Sequence, residues 1–167
     1  MILVIANAVV QAAIVLLDHV LADPALAFVL GAGSAAVLIV AVWQLWGGAR
    51  GLAWSAALGA VTAVVAVVFP YAVPLVVVAA CALLAAQRSG SVAATLRAAG
   101  RSAAGHPART AVLAVLTVLA VVLCWVVSAL FGLLLAGAIS SLATWIVIGV
   151  VAVLLQRSWA ALARRAP

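Results

Sequence analysis

Charge is what this chain has least of. Only 6% of its 167 residues are Asp, Glu, Lys or Arg, against about 25% in soluble globular domains. Lysine and glutamate are absent, and the two acids are Asp18 and Asp23. Hydrophobic residues make up 71% of the chain, with a mean hydropathy of +1.51. No soluble fold hides that fraction of apolar surface, so lipid must be the solvent for much of it. The scarcity of acids excludes more. No carboxylate falls in mid-run, so a proton-coupled carrier would lack its relay group. There is no phosphate-cradling glycine loop and no zinc-ligand spacing. No His–Asp pair is placed to activate a serine. The chain is therefore expected not to be an enzyme, and it implies no cofactor or metal. Cys81 and Cys124 fall inside apolar runs and read as small hydrophobes. Missing lysine beside abundant Ala, Val and Leu reads as codon bias of a GC-rich bacterium, which places the chain in a bacterial inner membrane.

What charge there is belongs to arginine. The eight arginines give a net charge of +6 and form three clusters: Arg50; Arg88, Arg97, Arg101 and Arg109; Arg157, Arg164 and Arg165. They flank apolar runs, which favours anionic lipid headgroups as partners over nucleic acid. A crossing helix needs roughly 20 apolar residues. Asp23-Pro24 divides the first run into helices at 2–21 and 25–46, with Asp as cap and Pro in the first turn. The first of these lacks the basic start of a signal peptide and reads as a retained helix. As one helix the run 52–86 would measure about 52 Å, far more than a roughly 30 Å core. Pro70 and Pro74 split it into 52–69 and 71–86, with a re-entrant hairpin as the alternative. The last run holds helices at 110–130 and 133–156. Their junction is expected near Phe131-Gly132, with 137–141 as the alternative.

The expected fold is all-α: a single transmembrane domain over 1–167, six helices as three hairpins, with both termini and every arginine on the cytoplasmic side. Trp43, Trp46, Trp54 and Trp159 are expected at the inner interface and Trp125 and Trp145 towards the outer one. Segment 90–104 reads as an interfacial amphipathic helix. Val92, Leu96, Ala99 and Ala103 fall within about 60° of one another, opposite Arg97 and Arg101. Arg88, Arg97, Arg101 and Arg109 are the candidate contacts for lipid headgroups or a protein partner. His106 precedes Pro107 and is expected to help cap the following helix.

Asn7, Gln11 and Asp18 fall within about 40° on the first helix, an inward polar stripe. They read either as interhelical hydrogen-bonding groups, with Asp18 reaching the outer interface, or as a polar pathway with Thr62, Thr117 and Thr144 as partners. Gly132, Ala136, Ser140 and Thr144 form a ladder of small residues at four-residue spacing, which favours close helix packing in a bundle or homo-oligomer.

Pro74, Arg88, Leu96-Arg97, Arg101, Arg109 and Arg164-Arg165 carry a further pattern: an apolar helix, an arginine-bearing amphipathic segment, paired helices and a basic end. In these features the C-terminal half resembles bacterial polytopic membrane-domain proteins of the glycerophosphodiesterase type. Members often carry an acid before the amphipathic segment, where this chain has Ala85-Ala86-Gln87. The resemblance implies a scaffold or accessory role rather than a reaction. Two functions are expected from these readings. One is a small membrane accessory or scaffold protein, a transporter subunit being one form of it. The other is an oligomeric channel or permease for small or lipidic substrates.

Overall fold

The computed structural model describes residues 2–17, 25–26, 29, 61, 64–65, 68–86 and 92–164. The described residues are mostly helical, with no strand among them. The elements are α1 (Ile2–Leu16), a 3₁₀ turn (Pro70–Ala72), α2 (Val73–Ala86), α3 (Val92–Gly105), α4 (Pro107–Leu134) and α5 (Gly137–Arg164). The described positions at 25–26, 29, 61, 64–65 and 68 are helical too. The rest of the expected helices 25–46 and 52–69 lies outside the described residues, as do Trp43, Trp46 and Trp54.

Proline and glycine set the breaks. Phe69 donates its N–H to Val65 O at 2.7 Å, the last such bond before Pro70, whose nitrogen has no proton to continue the ladder. Ala72 N–H returns to Phe69 O at 2.9 Å and closes the 3₁₀ turn. Pro74 then falls in the first turn of α2, where a helix needs no amide donor. Between α3 and α4 only His106 is non-helical, and Pro107 opens α4. The His106 side chain does not cap α4, contrary to expectation. The His106 carbonyl instead accepts the first bonds of α4, from the Thr110 amide at 2.9 Å and the Thr110 hydroxyl at 3.0 Å.

The turn between the last two helices lies at Leu135 and Ala136, beyond the expected Phe131-Gly132 junction. Leu135 is extended, with φ −119° and ψ 138°, and its N–H still reaches Phe131 O. Gly137 has φ +49°, a conformation that a side chain disfavours. That backbone requirement fixes the turn; Gly132 sits in ordinary helix.

α4 and α5 therefore form an antiparallel hairpin, with residues near 108–117 beside 158–162. α1 packs chiefly along α5, while α2 packs on α3, α4 and α5. The buried cluster joins Cys81 of α2 to Trp159 and Leu162 of α5, with Val77, Val78, Ala82, Ala85 and Leu113 around it. It lies at the arginine-bearing end of the hairpin. Elsewhere, long apolar rows among the described residues are exposed. Val112, Leu119, Leu123, Val126 and Leu133 of α4 are exposed, as are Ile2, Ile5 and Val9 of α1. Both α4 and α5 are long and apolar enough to cross a membrane, and only 6% of the most apolar stretch of each is buried within the protein. Twenty-eight residues at 1.5 Å rise span about 42 Å, more than the roughly 30 Å of a hydrocarbon core.

Candidate functional site

The described arginines gather at one end. α3 carries Arg97 and Arg101, the first turn of α4 carries Arg109, and the last turns of α5 carry Arg157 and Arg164; all five side chains are exposed. One residue connects α3 to α4, and α4 runs antiparallel to α5, so this end is common to all three helices. Arg97 Nε donates to Ala93 O of its own helix at 3.1 Å. Arg88 lies outside the described residues, together with both aspartates, so no carboxylate side chain occurs among the described residues.

Beneath this end is a polar link. Trp159 Nε1 donates to Thr117 Oγ at 3.0 Å, and Thr117 donates to Leu113 O at 2.7 Å. Thr117 is fully buried and Trp159 is 3% exposed. Trp159 lies within α5, which continues to Arg164, and packs in the core against α2 and α4. The Thr117 hydroxyl joins α5 to α4.

The α3 face also differs from expectation. Thr95 and Ser102 are its buried residues, whereas Leu96 is 53% exposed. The packed stripe is rotated from the aliphatic face toward the hydroxyl-bearing one. Small side chains allow this: Ala99, Ser102 and Ala103 face Ala82, Ala85 and Trp159 across a cavity of about 30 Å³. Leu96 and the arginines are left outward.

On α1, Asn7 and Gln11 are 5% and 7% exposed and share the buried face with Val4 and Ala8. The inward stripe is present over these two residues, and Asp18 and Thr62 lie outside the described residues. Thr144 is half-buried on α5. The small-residue ladder is interrupted: Gly132 ends up on α4, Ala136 in the turn, and Ser140 and Thr144 on α5. A Cβ added to Gly132 would meet nothing within 4 Å. The close approach is at Gly149, where an added Cβ would collide with Val4. A lone glycine among β-branched residues, Ile148-Gly149-Val150, was the signal available for it.

Cys81 is buried, Cys124 is half-buried, and both are free thiols. No group of three or more His, Cys, Asp or Glu side chains that could hold a metal occurs among the described residues. A groove of about 390 Å³ lies between the start of α4 and the end of α5, apolar along Val112, Leu113, Leu116 and Leu162, with Arg109 also lining it.

No protein-family model matches this chain, and no curated protein or solved structure is significantly similar to it.

Proposed function

We propose that the chain is a small integral-membrane accessory or scaffold protein of a bacterial inner membrane, with a transporter assembly as its natural setting. The supporting observation is how the buried polar groups at the arginine-bearing end are used. The Trp159–Thr117–Leu113 link is spent on holding helices together. The described arginines beside it are exposed, which supports a role in contacting headgroups or a partner. In this reading six helices cross the bilayer, both termini are cytoplasmic, and α3 lies in the inner interface. The resemblance to glycerophosphodiesterase-type membrane domains points the same way, to a non-catalytic role.

The test is gentle extraction into nanodiscs followed by native mass spectrometry. A stoichiometric protein companion is expected; a lone chain in every preparation refutes the accessory role. Maleimide labelling checks the topology, using Asp23→Cys and Gly100→Cys in a background without the native thiols. Opposite sides should label, and labelling from one side refutes the six-helix scheme.

One observation favours the second reading, an oligomeric channel or permease. Asn7 and Gln11 are both buried on one face of α1, where a polar path would run. Under that reading Gln11→Leu abolishes flux in proteoliposomes while the fold survives. Unchanged flux removes the stripe from any pathway.

A further inference from the structure

We propose that the groove between the first turns of α4 and the last turns of α5 binds one anionic phospholipid, with its phosphate on Arg109 and an acyl chain along Val112, Leu113 and Leu116. The inference rests on the membrane reading above and deepens it, naming a discrete lipid site within a generally basic face.

Three features carry it. The first is shape: about 390 Å³ of space between two helices, inside the ~300–1,000 Å³ range of small-molecule sites. The second is polarity. The floor is aliphatic, and the cation is at the mouth. Arg109 and Leu116 are about 10 Å apart along the helix axis at 1.5 Å per residue. A phosphate held by Arg109 therefore leaves an attached chain entering the groove where headgroup gives way to hydrocarbon. The third is charge. Eight arginines face two aspartates in the whole chain, and no carboxylate side chain occurs among the described residues. The net charge of +6 cannot be balanced within the chain, and the inner leaflet supplies anions.

The neighbouring hydroxyls do not substitute for the arginine. Ser158 donates its proton to Leu154 O at 3.0 Å, and Thr110 donates to His106 O at 3.0 Å. The phosphate is thus read by Arg109, and the chain by the groove. A soluble phosphate would use the first and ignore the second, and a zwitterionic lipid would use the second with less gain from the first.

The experiment is native mass spectrometry of the full chain released from nanodiscs of mixed phosphatidylglycerol and phosphatidylcholine, counting each lipid retained per chain. The wild type should retain one phosphatidylglycerol. Arg109→Gln should lower the phosphatidylglycerol preference about fivefold, the effect of one arginine near an anionic surface. Val112→Trp fills the groove from a position that is 60% exposed, so it spares the core, and it should reduce retention of both lipids. Arg97→Gln with Arg101→Gln should leave the retained lipid unchanged. Wild-type retention in both Arg109→Gln and Val112→Trp overturns the site. Release of the lipid by excess inorganic phosphate overturns the acyl-chain half of it. Alkaline carbonate extraction is run in parallel. A wild type released by carbonate overturns the membrane reading and the site together, whereas retained integration with unchanged lipid counts refutes the site alone.

Discussion

Gly149→Ala tests whether α1 is held to α5 by backbone approach. A Cβ at position 149 would overlap Val4 Cγ1 and lie 3.0 Å from its Cγ2 and 3.1 Å from its Cβ. Val4 is 1% exposed and β-branched, so in a helix it has essentially one χ1 rotamer and cannot swing aside. The helices must separate, an overpacking cost of about 1–3 kcal/mol. Replacing a helical glycine with alanine gains about 1 kcal/mol of propensity, which acts in the opposite direction. Gly132→Ala separates the two effects. Its Cβ would meet nothing within 4 Å, so the variant keeps the propensity gain alone. The difference between the two substitutions should therefore equal the close-approach term, about 1–3 kcal/mol. Val4→Ala removes both Cγ atoms, so the Val4→Ala, Gly149→Ala pair should couple favourably by at least about 0.5 kcal/mol. The assay is reversible unfolding in mixed micelles of graded SDS content, followed by tryptophan fluorescence. Equal effects of Gly149→Ala and Gly132→Ala, or strict additivity with Val4→Ala, would refute the contact.

Thr117→Val keeps the shape and removes the acceptor for Trp159, leaving a buried indole N–H without its bond. A loss of about 1–3 kcal/mol is expected, with Thr117→Ser losing less because the hydroxyl is retained; equal losses in the same micelle assay would show that the link contributes nothing. Gly137→Ala forces a side chain into φ +49° at about 1–2 kcal/mol, and Gly137→Asn should lose less because asparagine tolerates that region. An alanine variant as stable as wild type would move the origin of the α4–α5 turn elsewhere.

The breaks made by proline were readable in the sequence because proline acts locally: Pro70 and Pro107 interrupt helices through their own missing N–H, whatever packs around them. The inward face of α1 was readable for a similar reason, since Asn7 and Gln11 carry a cost in hydrocarbon that only burial against a neighbour or contact with water relieves. The turn at Leu135 was harder. Gly132 and Gly137 look alike in an apolar run, and only the backbone conformation at 137 distinguishes them. The burial of Trp159 was not legible because an indole suits two environments, the wet interface and a core that offers its N–H a partner. The partner, Thr117, is 42 residues away, and no local pattern connects them. The α3 face depended on its neighbours in the same way: Ser102 is buried beside alanines at 82 and 85, while Leu96 is exposed.

Under the proposed membrane placement, lipid accounts for the exposed apolar rows of the described helices. Between apolar helices in a bilayer the hydrophobic effect provides little attraction, because acyl chains solvate leucine as well as another helix does. The long exposed rows on α4 and α1 then contribute nothing to helix association. Among the described residues, specific contacts include a backbone approach at Gly149, a hydrogen bond between α5 and α4, a glycine that sets the turn, and a small cluster around Cys81, Trp159 and Leu162. The cluster lies at the arginine-bearing end, where α5 continues past Gln156 for about two turns and α3 folds back beside it. Under the proposed placement this end leaves the hydrocarbon, so apolar burial regains its driving force there. The prediction is directional: core truncations at Leu162 should destabilise by the usual 2–5 kcal/mol of a buried leucine, while Leu123→Ala on the bare face of α4 should change stability by less than about 0.5 kcal/mol. Equal losses at the two sites would mean that Leu123 is buried by a protein surface rather than by lipid.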